Sequence, residues 1–419
     1  MDSNGRMGLW CGRRVSPLWA WIISVIVMTG SIRGLLVINS EIPPKFVYPV
    51  TAAALLMLAS YGYFKRKEYK SPELTLLKNL LKISMLMGIV NVTVDLLSGV
   101  PFEPSFLYLY LAPYIVFLFL HIPTRYFNVV IAVVTIAIGY SVISNFIDSL
   151  SGPEGVARVY NYNLKLRPDS FEAFGRTGGY LRASGYTGNF HDSANILGMA
   201  ASFFFIRFLL RRWMLDLALF TLALVSLTLT QSATNIIVAI LTILIFTGYI
   251  LIRSRNIGTY IALLGGAACV AVLIAYFGDV MSIFTARVGA DGDWGGMTKH
   301  LDIETVISSI PLLFLGHTYA FESPTMTIEI GLIKNIFQQG IIHATIFYWV
   351  LLYPIFRFVR VRAVCSDALP AVAAISFGFM SLLHYGSLFR VTSVFLFFVF
   401  YAIVMINVIH SARLEDKQV

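Results

Sequence analysis

The sequence predicts an all-α protein, a polytopic membrane helix bundle of about 12 transmembrane helices with two long outer loops. Three observations carry this prediction. Hydrophobic residues make up 58% of the 419 residues and charged residues 13%, with a mean hydropathy of +0.77. That leaves too little polar surface to cover a soluble globule of this size. Apolar runs long enough to cross a bilayer follow one another almost from end to end. Only two long polar stretches interrupt them, at about 148–191 and 278–328.

Helices are expected because each backbone N–H and C=O in hydrocarbon must find its partner within its own segment. Five spans precede the first loop, at about 17–38, 45–64, 77–97, 104–121 and 127–147. Four follow it, at about 193–210, 214–231, 233–252 and 258–277. Three follow the second loop, at about 332–356, 368–386 and 391–410. The first run comes after Arg13 and Arg14 and has no small-residue cleavage site behind it, so it reads as a retained span.

The connections alternate in charge. Arg13 and Arg14, Lys65 to Lys67, Arg125, Arg211 and Arg212, Arg253 and Arg255, Arg357, Arg360 and Arg362, and Arg413 all fall on one side. The positive-inside rule makes that side the cytoplasm, with both termini there and both long loops on the opposite face. The chain reads as a single integral membrane domain over 1–419. Its net charge of +9 resides in these short anchoring runs, which points to membrane lipid and not to nucleic acid. Cys11, Cys269 and Cys365 are too dispersed for a disulfide or metal framework.

Several ionisable residues fall inside the expected spans: Lys82 and Asp95 in the third, Asp216 in the seventh, Lys334 and His343 in the tenth, and His384 in the eleventh. Such groups face the bundle interior or a wet cavity, and are functional candidates. Lys82, Asp216 and Lys334 lie near span ends, where snorkelling satisfies them. Asp95 and His384 fit structural and functional roles equally.

In the first loop Arg158, Lys165, Arg167, Arg176 and Arg182 are balanced by Asp148, Glu154, Asp169, Glu172 and Asp192, the composition of a solvated loop. Position argues for more. Arg176 and Arg182 stand just before His191, Asp192, Ser193 and Asn195, which open the sixth span. Arginine forks match phosphate oxygens bidentately, and helix N-termini attract anions. Asp192 or Ser193 can cap this helix, so His191 and Asp192 fit capping and active-site roles equally. Residues 230–235 form a short hydroxyl-rich hinge on the same face, with tight-turn capping as its plain role. The second loop carries Arg287, His317 and Glu322. Its Asp291 and Asp293 suit a solvated turn better than a metal site. No phosphate-binding P-loop, dinucleotide fingerprint, zinc motif or nucleophile elbow occurs.

Taken in order, these segments resemble the O-antigen polymerase and O-antigen ligase superfamily. Residues 189–198 are similar to its proline-asparagine-leucine-glycine start of a span. Residues 230–235 resemble its serine-arginine-threonine turn. Arg287 followed by 310–317 resembles its arginine-then-proline-leucine-leucine-glycine-histidine-glycine pattern, and 331–342 its glycine-leucine-isoleucine-glycine helix start. The likeness is close over about 175–355 and extends elsewhere to topology only. Departures are Ala233 after Ser232, Asp192 to Ala194 in place of a proline, and Thr318 in place of a second glycine. The histidine-asparagine pair of the ligases is absent, with Glu322 and Ser323 nearby, which tilts the likeness toward the polymerases.

The resemblance implies glycosyl transfer on the outer face of a bacterial inner membrane, without metal or other cofactor. The donor is a glycan on undecaprenyl pyrophosphate and the acceptor a lipid-linked oligosaccharide repeat unit, with a chain-length regulator as a further partner. Arg176, Arg182 and Arg287 are the expected pyrophosphate ligands, since preorganised cations stabilise a departing pyrophosphate. His317, Glu322 and His191, in that order, are the candidate bases, and Asp192 and Asn195 further substrate contacts. A ligase is the nearest alternative. A lipid-linked oligosaccharide flippase is the next, but would concentrate its charge inside the spans.

Overall fold

The long apolar runs fold as helices, and their order follows the hydropathy pattern with one break. The computed structural model describes residues 44–68, 70–97, 110–120, 127–150, 183, 185–187, 190–230, 232–254, 260, 264, 314, 316, 331–360, 367–383 and 391–416. We label the helices α1 (Pro44–Lys65), α2 (Pro72–Leu97), α3 (Val116–Phe119), α4 (Phe127–Leu150), α5 (Phe190–Arg211), α6 (Met214–Leu229) and α7 (Ala233–Ser254). Then come α8 (Gly331–Gln339), α9 (Ile341–Arg360), α10 (Ala368–Met380) and α11 (Val391–Asp416). Among the described residues there is no strand.

Among the described residues, five stretches are long and apolar enough to cross a membrane: Pro72–Val94, Phe190–Arg211, Thr234–Arg253, Ile341–Arg360 and Ser393–Ser411. Shorter apolar helices cover Ile131–Ile147, Met214–Leu229 and Ala368–Leu383. The protein is thus a helical membrane protein. The span expected at about 17–38, and all but two residues of that at about 258–277, lie outside the described residues. The described part of the fourth expected span opens as a 3-10 turn, Ala112–Ile115, with Pro113 in its first positions. Proline has no N–H to give an α-helical bond there.

Burial separates core helices from peripheral ones. Of the apolar stretch in α5, 94% lies inside the protein, and in α11 89%, against 22% in α2. Helices apolar on every side belong at the centre, and α2 turns a broad face outward. Around α5 pack α6, α10, α7, α4 and α11, and α11 also touches α9, α10 and α3. Small residues permit the closest of these approaches. A Cβ at Gly198 of α5 would run into the ring of Phe377 on α10. One at Gly378 of α10 would lie 2.8 Å from the Phe397 ring of α11.

One end of the bundle is rich in arginine and tied by ion pairs. Arg207 of α5 lies 3.6 Å from Asp216 of α6 and 3.3 Å from Asp367 before α10. Arg211 reaches the other oxygen of Asp367 at 2.8 Å. Asp216 is only 1% exposed, so it does not snorkel to water; Arg207 faces its Oδ1, and its Oδ2 has no hydrogen-bond partner among the described residues. At the same end of α9, Arg357 meets Glu73 of α2 at 2.8 Å, and Tyr353 donates to the Glu73 carbonyl. α2 starts earlier than the expected 77, which leaves the exposed Lys82 well inside the helix.

The tenth span, expected as one helix over about 332–356, is a helical hairpin. Gly340 has φ +81°, a left-handed conformation that glycine adopts without a Cβ clash. Its N–H closes α8 on the Ile336 carbonyl at 2.8 Å, and its carbonyl accepts the Ala344 N–H at 2.9 Å. The Tyr348 hydroxyl donates to the Leu332 carbonyl at 2.6 Å across 16 residues. In one continuous helix those residues would stand about 24 Å apart. So α8 folds back along α9.

Two consequences are measurable by thermal unfolding of the purified protein in detergent. Gly198→Leu should cost more than the roughly 1–3 kcal/mol of ordinary overpacking, because an aromatic ring occupies the new Cβ position. Gly139→Leu on α4 should be tolerated, since a Cβ there meets nothing within 4 Å. Asp367→Ala should cost about 3–5 kcal/mol by stranding buried arginine charge. Glu68→Ala, which breaks the exposed pair to Lys65, should cost no more than about 1 kcal/mol.

Candidate functional site

With 22 residues, α5 is about 33 Å long, so its first turn lies at the end of the bundle opposite Arg207. That turn is polar. Asp192 is 6% exposed, and Ser193 and Asn195 are fully buried. An isolated polar side chain at such a place needs a partner from a neighbouring helix. Asp192 Oδ1 accepts from the Ser393 hydroxyl in the first turn of α11. Asn145 of α4, also fully buried, donates through Nδ2 to Ser193 Oγ at 2.9 Å.

The chain leading into α5 joins the same cluster. The Ala183 N–H donates to the Leu229 carbonyl at the end of α6, at 3.0 Å. Gly185 is buried against Ser144 and Asn145, where a Cβ would lie 2.6 Å from the Ser144 hydroxyl. Beside them runs the turn between α6 and α7. Thr230 Oγ1 donates to the Leu227 carbonyl at 2.6 Å, and Asn235 Nδ2 to Ser232 Oγ at 3.1 Å. This is the capped tight turn that its hydroxyl-rich sequence suggests.

Electrostatics refine the expected roles. A carboxylate in the first helical turn is favoured by the helix dipole. Asp192 supplies that charge to α5 itself, which opposes a second anion at the same N-terminus. Binding of an anion at this end would therefore depend on cationic side chains and not on the dipole. His191 differs from Asp192 in being only half-buried, with its ring against Phe190 at 3.9 Å between centroids. Asn195 lies deeper, within the helix packing.

Arg176, Arg182, Arg287, His317 and Glu322 lie outside the described residues, as do Asp291, Asp293, His384 and the three cysteines. So do the side chains of Asp95 and Lys334. Two sequence neighbours are placed. Ala183, which follows Arg182, holds the end of α6 as described above. Gly316, which precedes His317, is buried against the backbone of Gln338 to Gly340 at the α8–α9 turn. Among the described residues no His, Cys, Asp and Glu side chains gather as a metal site.

Sequence reasoning missed Asn145 and Ser393. The signal was a lone amide and a lone hydroxyl in apolar runs, but their partners are 48 and 201 residues away. No family model matches the chain, and no curated protein matches it.

Asn145→Ala and Ser193→Ala should each lower stability by about 1–3 kcal/mol, the cost of orphaning a buried polar partner. The double variant should lose less than their sum, because both changes remove one hydrogen bond. Unfolding of all four proteins in one detergent measures that coupling.

Proposed function

We propose that this chain is a glycosyltransferase of about 12 spans that polymerises undecaprenyl-pyrophosphate-linked oligosaccharide repeat units into O-antigen or a related surface polysaccharide. It works at the periplasmic face of a bacterial inner membrane, with both termini in the cytoplasm. The observation that carries the reading is the convergence at one bundle end of a polar α5 start, the stretch after Arg182 and the hydroxyl-rich α6–α7 turn. That end lies opposite the arginine-rich one, which the positive-inside rule assigns to the cytoplasm. The ordered motifs that resemble the O-antigen polymerases fall in the same segments.

The reaction follows from the groups such a site brings together. A hydroxyl of the acceptor sugar attacks the anomeric carbon of the donor glycan. The bond from that carbon to the pyrophosphate oxygen breaks, and the lipid pyrophosphate leaves with the electron pair. Arg176, Arg182 and Arg287 neutralise the charge that develops there, where little water competes. His317, Glu322 or His191 takes the proton of the attacking hydroxyl.

Surface polysaccharide from a strain lacking the chain, run on a gel beside a count of lipid-linked intermediates, tests this. The expected result is loss of the long ladder, with single repeat units still attached to their acceptor. Long polymer accumulating on the lipid carrier would mean a ligase, and an unchanged ladder neither. In the complemented strain, Arg176→Ala and Arg287→Ala should each cut polymer formation about a hundredfold or more while the protein still inserts.

A further inference from the structure

A second polar region lies where α2 meets the α8–α9 hairpin. Ser84, Gly88 and Asn91 share one face of α2, at spacings of four and three residues. Ser84 Oγ lies 3.0 Å from His343 Nε2. Asn91 Nδ2 donates to the Gln339 carbonyl at 2.8 Å. Tyr110 covers Gly88, its ring 2.9 Å from where a Cβ would stand. The same ring stacks on the His343 imidazole, with centroids 5.0 Å apart and planes at 15°. Asn335, one turn before Gln339 on α8, is 3% exposed.

These helices leave four polar atoms of this region unused: Asn335 Nδ2, Gln339 Oε1 and Nε2, and His343 Nδ1. Gln339 is 1% exposed and His343 fully buried. None of the four atoms has a hydrogen-bond partner among the described residues. Each carries the cost of leaving water without a bond in return. An apolar side chain would fill the position of Gln339 at no such cost, so the amide is suited to something that binds there.

The chemistry of the cluster narrows the ligand. Among the described residues its groups are amides, a hydroxyl and an imidazole, with no carboxylate, ammonium or guanidinium. A phosphate calls for cations, and a metal ion for anionic ligands. The Gln339 amide offers one donating and one accepting pole. His343 Nδ1 donates if Ser84 donates to Nε2, and accepts if Ser84 accepts from it. Only a group that both donates and accepts suits either tautomer, and adjacent hydroxyls of a sugar ring do so.

Position agrees. α10 starts at Asp367 in the arginine-rich cluster, and the 3-10 turn at its far end, Ser381–Leu383, packs against α8. The hairpin therefore lies toward the same end of the bundle as the polar start of α5. We propose that Gln339 and His343 form a subsite for a sugar ring of the lipid-linked oligosaccharide, held through its hydroxyls apart from the pyrophosphate. The source of that sugar rests on the polymerase reading above.

The test uses the full chain in lipid nanodiscs and the repeat-unit oligosaccharide released from its carrier by mild acid, which removes the pyrophosphate. Wild type should bind this probe saturably, and Gln339→Leu should weaken binding about tenfold or more, as expected for two lost hydrogen bonds. Gln339→Leu should melt no lower than wild type, since a leucine replaces an unpaired amide, so lost binding is not lost fold. Equal binding by the two proteins, or no saturable binding by wild type because the cluster holds water only, overturns the subsite. The gel of the deletion strain judges the polymerase reading separately. A lost ladder with no probe binding sinks the subsite alone, and an intact ladder sinks the polymerase.

Discussion

Arg207 bridges Asp216 and Asp367 in a region nearly closed to water, so the ends of α5, α6 and α10 can separate only by leaving charge unpaired at low dielectric. The other contacts of the bundle depend on this. It fixes α5 along its axis and sets the depth at which Gly198 meets Phe377. Through α5 it also sets where the first turn emerges at the opposite end, about 33 Å away. There the Asp192–Ser393 hydrogen bond joins α5 to α11. The two most buried helices are thus located by polar contacts, although apolar packing supplies most of their contact surface. In lipid this is reasonable, because apolar side chains gain little by leaving the hydrocarbon tails for one another, and packing and polar pairing decide the arrangement.

The hairpin follows from the same solvent constraint. A helix that stops partway through a membrane exposes backbone groups, and is tolerated only where protein covers it. The Tyr348 hydroxyl takes up the Leu332 carbonyl near the start of α8, and the Asn91 amide takes up the Gln339 carbonyl near its end. Side-chain atoms of Asn335, Gln339 and His343 remain without a partner among the described residues. With the cluster at the start of α5, this gives one end of the bundle two polar regions of different chemistry. One has a carboxylate and a half-buried imidazole, and the other, among the described residues, amides, a hydroxyl and an imidazole.

Legibility differed between these features for physical reasons. Hydropathy marks a span well because every residue of an 18–20-residue window contributes, and α5, α7 and α11 fall close to where the composition places them. It marks a break poorly. Gly340 is one residue among many glycines, and its neighbours are as apolar as those of an unbroken helix. The start of α5 was readable because polar residues cluster there in consecutive positions. Asn145 and Ser393 were not, because each stands alone and gains meaning from a partner far along the chain. Asp216 was visible, but its distance from the span end suggested solvent where the fold supplies an arginine.

By itself the sequence determined that this is a helical membrane protein, roughly where its spans lie, and which residue types stand at the polar ends. Those properties depend on transfer from water to hydrocarbon, which is close to additive along the chain. The tertiary structure alone decided which helices are central, which charges neutralise each other, and that the tenth span doubles back at Gly340. It also showed which buried polar groups are satisfied and which are left open. Such outcomes belong to pairs of residues brought together by packing, and no sum over single residues contains them.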